Sequence, residues 1–65
     1  MKWISIEDEL PDKEVICGNF KQYTYGYGEM IIGWYSSKLH YAENEVQILE
    51  NVTHWMPLPE PPEDK

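Results

Sequence analysis

The two ends of the chain carry matching aromatic and proline signals, and these constrain the fold more than any other feature. Residues 53–62, THWMPLPEPP, form a strand-like run through Trp55 that is followed by four prolines within six residues. At the other end, Trp3 begins a short apolar run, and an acidic turn then leads to a Leu-Pro pair. Because a large ring near each terminus can anchor it, we expect one closed domain over residues 1–62, with a frayed tail over residues 63–65.

The aromatic content compensates for the small size of the chain. A chain of 65 residues buries only ~60% of the surface that its unfolded form exposes. Three Trp, five Tyr and one Phe supply large rings, each of which can bury ~150–250 Å². We therefore expect the three tryptophans to pack in the core. Cys17 is the one cysteine, so no disulfide forms within the chain, and a lone cysteine without an apolar leader favours a reducing cytoplasm.

The charge of the chain is strongly negative. The chain has twelve carboxylate side chains and five basic residues, all of them lysine, which gives a formal net charge of −7. Binding to phosphates requires clustered Lys and Arg, so we expect neither direct nucleic-acid binding nor attachment to anionic membranes. An acidic surface of this kind either keeps the protein soluble or attracts a basic partner surface.

Short apolar runs separated by turn residues predict a mainly β, small α+β fold, with a compact antiparallel sheet of three to five short strands. The runs that we interpret as strands are residues 14–20, 29–36, 39–41, 46–49 and 52–56. Residues 5–10 predict one short helical turn, since Ser5 and Asp8 form a loose capping box and Pro11 ends it. From Pro57 onward the chain predicts a polyproline-type tail.

Residues 29–36 give the clearest strand signal. Met30, Ile32 and Trp34 alternate with Ile31, Gly33 and Tyr35. Both faces are therefore apolar, which predicts a central strand that is covered on both sides, or on one side in part by a partner.

The segment 21–28, KQYTYGYG, is unusual because Tyr23, Tyr25 and Tyr27 recur at every second position. In an extended segment the three rings would share one face. The segment could either extend the neighbouring strands around a Gly turn or form a mobile hairpin tip.

The motif W-I-S-I-x-x-x-L-P at Trp3 to Pro11, with T-H-W-M-P-L-P-E-P-P at Thr53 to Pro62, resembles the domain-of-unknown-function 551 family. That family is common in phage and prophage genomes of bacteria. The resemblance implies a small phage or prophage protein of the bacterial cytoplasm, without an activity that can be transferred. The motif residues to which we assign a structural role are Trp3, Leu10, Pro11, Trp34, Trp55, Pro57 and Pro59. We expect Trp55 to pack against Trp3, with the proline segment lying beside the Leu10-Pro11 turn.

No set of side chains predicts catalysis or metal binding. Cys17, His40 and His54 are the only soft or borderline metal ligands, and none of them has C-x-x-C or H-x-x-H spacing. Cys17 lies within a strand-like run and lacks the cationic neighbour that a reactive thiol needs, so we interpret it as a buried small hydrophobe. We interpret the acidic runs, which include Glu43 and Glu45, as solvated surfaces of the protein. We therefore expect no enzyme, no cofactor and no metal.

Three functions fit this sequence. The first is an acidic binding module that engages a host or phage protein, using Tyr23, Tyr25, Tyr27, Glu43 and Glu45. The alternative is a homo-oligomeric accessory or structural module in which self-association buries the strand 30–35. A small-ligand binder that uses the tyrosines is the weakest of the three, because no polar cluster accompanies the rings.

Overall fold

The computed structural model describes residues 2–60. It contains six strands, β1 Ile4–Ser5, β2 Val15–Gly18, β3 Met30–Ser36, β4 Tyr41–Glu43, β5 Ile48–Glu50 and β6 His54–Pro57. All neighbouring strands pair antiparallel, in the order β1-β6-β2-β3-β4-β5. The mainly β antiparallel fold is confirmed. The expected count of three to five strands is wrong, because the short segment β1 becomes a strand only through its pairing with β6.

The predicted helical turn after Ser5 is also wrong, since residues 2–60 contain no helix. The segment is a hydrogen-bonded turn in which the carbonyl oxygen of Ser5 accepts from the N–H groups of Asp8 (2.9 Å) and Glu9 (3.1 Å). The Ser5 hydroxyl caps the turn by accepting from the Glu7 N–H at 3.1 Å. A helix does not form because its first turn is unfavourable, and Pro11 ends the segment before further turns can compensate for that cost. It follows as well that no helix within residues 2–60 is long and apolar enough to cross a membrane.

The connection between β5 and β6 forces the sheet to curl. In a flat sheet, the four inter-strand spacings between β5 and β6 would separate these strands by ~19 Å. Residues 51–53 join them directly, and a chain of that length reaches at most ~14 Å from Glu50 to His54. The sheet therefore bends into a partly open barrel, with β1 and β5 as its edges and with distinct inner and outer faces.

The core lies on the inner face. Cys17 is central to it, since its register neighbours are Ile31 on β3 and Trp55 on β6. The buried apolar residues are Val15, Cys17, Ile31, Ala42, Leu49, Val52 and Trp55, with Ile4, Ile6 and Tyr35 packed against them. Residues from β2 to β6 thus contribute to one cluster, as the curled sheet requires.

Gly33 marks the tightest approach between strands. It faces the interior, and a Cβ atom there would collide with the backbone carbonyl of Glu43 on β4. Just beyond β4, the side-chain amide of Asn44 donates to the carbonyl oxygen of Ile32 at 2.7 Å. A glycine is needed in β3 because the chain after β4 bends across it at this corner of the barrel.

Trp3 and Trp55 do not pack as expected. The register places Ile4 opposite Trp55, so those two side chains share the inner face and Trp3 turns to the other side. There the Trp3 ring meets Phe20 edge-on, with centroids 5.0 Å apart, and Phe20 in turn lies 5.7 Å from the His54 ring. The predicted Trp3–Trp55 contact is therefore wrong, because the period of two in β1 separates the two rings.

The strand boundaries also differ from the prediction, as β4 and β6 illustrate. Residues 37–40 form a turn, closed by the His40 N–H donating to Ser36 O at 2.8 Å, so β4 begins only at Tyr41. Pro57 belongs to β6 and lies opposite Val15, rather than opening a polyproline tail. It is tolerated there because β1 pairs only with His54 and Trp55, so β6 is a local edge of the sheet at Pro57. The rest of the predicted tail from residue 61, with the frayed residues 63–65, lies outside the described part of the chain.

Candidate functional site

An apolar surface covers the outside of the barrel. The outer face is defined by six side chains, Ile16, Met30, Ile32, Trp34, Ile48 and Met56. Ile32 is 50% exposed, Trp34 53% and Ile48 62%. Ile16 and Met56 are half-buried. These side chains come from β2, β3, β5 and β6, so the surface spans most of the sheet.

The strand registers make the outer face continuous. Met56, Ile16 and Ile32 stand in one row across β6, β2 and β3. Trp34, Glu43 and Ile48 stand in a second row across β3, β4 and β5. Side chains directly opposite on neighbouring strands lie within contact range of each other. The outer face is thus an organised apolar surface with a carboxylate set into it.

Two adjoining grooves lie on this surface. The apolar groove has a volume of about 500 Å³ and is lined by Ile16, Met30, Ile31, Ile32, Asn44 and Gln47. The acidic groove, of about 290 Å³, is lined by Glu14, Ile32, Trp34, Asn44, Glu45 and Val46. Ile32 and Asn44 line both grooves, so they form the divide between them.

Asn44 builds the shared wall of the grooves. Its amide group donates to Ile32 O, and its carbonyl oxygen accepts from the N–H groups of Val46 (2.9 Å) and Gln47 (2.8 Å). The backbone N–H of Asn44 also donates to Gln47 O at 2.9 Å. One side chain therefore fixes the turn 44–47 against β3, which presents Val46 and Glu45 beside Trp34. Asparagine supports tight turns through such bonds to its own following backbone.

The tyrosine-rich segment is a structured loop between β2 and β3. At its base, the Asn19 N–H donates to Glu29 O at 3.0 Å and the Gly28 N–H donates to Asn19 O at 2.6 Å. The segment between them consists of turns and contains no strand. Tyr23 is 96% exposed and Tyr25 87% exposed. The interpretation as an extended strand with its rings on one face is wrong, because glycines at positive φ turn the chain.

Asn19 organises this loop, although it is absent from the site residues that the sequence predicts. Its side chain is fully buried. The amide donates to the Thr24 hydroxyl at 3.2 Å and to Tyr25 O at 3.0 Å, while the carbonyl oxygen accepts from the Lys21 N–H at 2.9 Å. The last of these bonds is an Asx-turn, which an asparagine near the end of a strand-like run could have indicated.

The predicted protein-binding residues fall into two separate places. Glu43 lies exposed on the outer face between Trp34 and Ile48, and Glu45 lines the acidic groove. Tyr23, Tyr25 and Tyr27 lie on the β2–β3 loop, and none of them lines that groove. The acidic residues therefore belong to the outer face, whereas the tyrosines lie exposed on a separate loop.

The residues assigned a structural role have different surroundings. Trp55 is buried, and its indole N–H donates to Glu9 O at 2.8 Å. Trp34 is half exposed, so the expectation that all three tryptophans pack in the core fails there. The remaining positions are half-buried for Trp3 and Pro11 and exposed for Leu10, Pro57 and Pro59. A structural role for these five residues stays a prediction.

Cys17 has the properties of a core residue. It is fully buried on the inner face. Burial raises the pKa of its thiol from the ordinary value of 9.0 to about 11. The same cause, followed by repulsion from a Cys17 thiolate, raises the pKa of Tyr35. The interpretation of Cys17 as a buried small hydrophobe is confirmed, because its side chain packs in the core cluster with Val15, Ile31 and Trp55.

A third cleft, of about 480 Å³, opens where Tyr35 meets the start of β6. Its polar lining includes Glu7, Lys21, His40 and His54. The side chains of Glu7 and Lys21 carry opposite charges, so the cleft does not select one sign of ligand. In the part of the chain that the structure describes, no group of three or more His, Cys, Asp and Glu side chains is placed to hold a metal ion.

Comparison with known proteins identifies the family of the chain. Neither the curated proteins nor the solved structures contain a significant match to this chain. The sequence profile of the family described as "Protein of unknown function (DUF551)" matches residues 2–63, and the chain therefore belongs to that family.

Proposed function

We propose that this protein is a non-enzymatic binding module of phage or prophage type that uses its outer face to engage a host or phage protein. The observation that carries the proposal is the exposure of Trp34 and Ile32 at the centre of the curled sheet. Large apolar side chains gain ~1.5–3 kcal/mol each on full burial, so a partner that covers them would be stabilised. Contiguous apolar patches on small proteins commonly mark interaction surfaces.

Trp34 is well placed to act as an anchor for a partner. It lies on β3, which pairs on both sides with β2 and β4. A side chain on a central strand is already positioned, so little conformational entropy is lost when a partner binds. Tryptophan is also among the residues that most often dominate interface energies.

Charge favours a different protein as the partner over a second copy of this chain. Glu43 lies within the outer face, and Glu14 and Glu45 line the acidic groove beside it. Two copies placed face to face would bring these carboxylates together in chains that each carry a net charge of −7. Like charges across an interface oppose association, whereas a basic surface would complement them.

Self-association remains the second candidate, because the same exposed face of β3 could be buried by another copy. Salt distinguishes the two functions. Screening weakens the attraction of an acidic face for a basic partner, but it relieves repulsion between two acidic copies. A basic partner should therefore dissociate as salt rises, while a homo-oligomer should become tighter.

The inner part of the molecule supports a function without catalysis. Cys17 is enclosed in the core and His40 is exposed on the turn 37–40. The two are therefore in different environments, which argues against a nucleophile–base pair of Cys17 and His40.

The test compares capture from bacterial lysate by the wild-type chain with capture by an Ile32→Ser/Trp34→Ser variant. Leu39→Ser is the matched control, since it also removes an exposed apolar side chain but lies on the turn 37–40, outside both grooves. Partner binding that is saturable, lost only in the double variant and reduced by salt would support the proposal. Binding that the double variant retains would refute it. If no second protein is captured and the purified chain has a molecular mass above that of the monomer, which increases with salt, the homo-oligomer would be favoured.

A further inference from the structure

We propose that the two adjoining grooves of the outer face recognise an extended partner segment that carries a basic and an apolar side chain two positions apart, in either chain direction, with arginine preferred over lysine as the basic residue. This inference rests on the proposed protein-binding function and specifies the chemistry of its partner. The basic side chain enters the acidic groove and the apolar side chain enters the apolar groove. Ile32, which lines both, lies between the two.

The acidic groove has the components that a guanidinium group needs. Glu14 and Glu45 supply carboxylates, and Trp34 supplies a half-exposed aromatic ring. A cation that lies over an indole ring is attracted by the negative face of the ring. The guanidinium group stacks on such rings and pairs with carboxylates in a planar geometry, which is the reason for preferring arginine. Its aliphatic stem can cover Ile32 and Val46.

The apolar groove is suited to an uncharged side chain. Ile16, Met30 and Ile32 line it, and its polar neighbours are the neutral amides of Asn44 and Gln47. Methionine adapts to side chains of different shape because it is flexible and polarisable. We therefore expect leucine, isoleucine or methionine at this position of the partner, rather than a charged residue.

The spacing of the pattern follows from β3. Met30 lines the apolar groove, Trp34 lines the acidic groove, and Ile32 lies between them on the same face of the strand. The apolar groove thus extends along β3 from Met30 to Ile32, and the acidic groove extends from Ile32 to Trp34. The midpoints of these two stretches are two residues of extended chain apart, or ~7 Å. In an extended partner, side chains at positions i and i+2 share a face and have the same separation. One partner segment can thus fill both grooves at once.

The test uses four blocked tripeptides as probes, acetyl-Arg-Ser-Leu-amide, acetyl-Lys-Ser-Leu-amide, acetyl-Arg-Ser-Ser-amide and acetyl-Glu-Ser-Leu-amide. Each is titrated into the isotope-labelled full chain while amide and indole N–H shifts are followed. We expect saturable shifts at Trp34, Ile32 and Val46, strongest for Arg-Ser-Leu and weaker for each of the other three. Absence of shifts at these positions, or equal shifts with the Glu peptide, would overturn the inference.

Paired charge variants separate this site from general electrostatic attraction. Glu14→Gln/Glu45→Gln should weaken binding of the Arg-Ser-Leu peptide by roughly three- to tenfold, given the modest energies of exposed ion pairs. Glu7→Gln/Glu60→Gln removes the same amount of charge from exposed positions outside both grooves and should leave binding within roughly twofold. Equal weakening by both pairs would show that net charge alone attracts the peptide, which would overturn the inference.

The same variants keep this inference distinct from the proposed function. If Glu14→Gln/Glu45→Gln captures the protein partner as the wild type does, while Ile32→Ser/Trp34→Ser does not, the outer face is the binding surface and the basic–apolar pattern is wrong. If neither variant affects capture, the proposed function itself is wrong.

Discussion

The indole N–H of Trp55 donates a hydrogen bond to the backbone carbonyl oxygen of Glu9 across a distance of 2.8 Å. Trp55 lies in the core on β6, and Glu9 follows the turn after β1. The bond thereby joins the two ends of the described chain, in addition to the pairing of Ile4 with Trp55. The N-terminal part of the family motif, which contains Ile4, therefore contacts the C-terminal part, which contains Trp55.

Replacement of Trp55 tests this anchor. Trp55→Ala should lower the free energy of unfolding by ~3–5 kcal/mol, because a large buried ring is lost. Trp55→Phe should cost less, but it still removes the bond to the carbonyl oxygen of the exposed Glu9, whose net contribution is ~0.5–1.5 kcal/mol. Urea unfolding followed by circular dichroism measures both.

The matched control is Trp34→Phe on the exposed outer face, which should change the free energy of unfolding by no more than ~0.5 kcal/mol. Similar losses for Trp34→Phe and Trp55→Phe would contradict the assignment of Trp55 as the anchor.

Gly33→Ala should be among the most damaging small substitutions in the chain. The added methyl group would meet the backbone carbonyl of Glu43, which cannot move without shifting β4. Overpacking of this kind costs ~1–3 kcal/mol. Thermal unfolding compares it with Gly28→Ala, where the space is open and the cost comes only from a φ of 86°. A smaller loss at Gly33 than at Gly28 would rule out the close approach of β4 to β3.

Asn19→Ala should loosen the tyrosine loop while the sheet remains folded. The substitution removes the side-chain bonds to Lys21, Thr24 and Tyr25. We expect faster hydrogen exchange of the Lys21 amide and a stability loss of ~1–3 kcal/mol. Gln22→Ala, at an exposed position of the same loop, should change neither quantity. Unchanged exchange in Asn19→Ala would show that the loop is held by other contacts.

Alkaline pH should destabilise the protein through Cys17. Burial raises the pKa of this thiol to about 11 in the folded state, while the unfolded thiol ionises near 9.0. The folded state therefore favours the neutral form, and its stabilising effect is present below pH 9 and is lost as pH rises toward 11. Urea midpoints measured at successive pH values between 8 and about 11 should fall over this window.

Cys17→Ala provides the control for the pH experiment, because it removes the titrating thiol. Its urea midpoint should decline less steeply over the same pH range. The slope that remains should include Tyr35, whose pKa burial also raises. An equally steep decline in Cys17→Ala would assign the alkaline transition to other groups.

Much of the local organisation follows from the sequence. The alternation in residues 29–36 predicted a central strand with two apolar faces, and β3 is that strand. The small, uncharged setting of Cys17 predicted a buried thiol, which the structure confirms. These inferences succeed because period-two patterns and short-range sterics depend on neighbouring residues alone.

The tertiary structure decided which face became the core. Alternation assigns Ile31 and Ile32 to opposite faces of β3, but it does not distinguish the inside from the outside. The three-residue connection from β5 to β6 curls the sheet, encloses Ile31 with Leu49 and Trp55, and leaves Ile32 exposed. The Asn19 bonds and the Trp55–Glu9 bond likewise depend on where separate segments meet. Sheet curvature and long-range register, which no local pattern encodes, therefore determined both the core and the candidate binding surface.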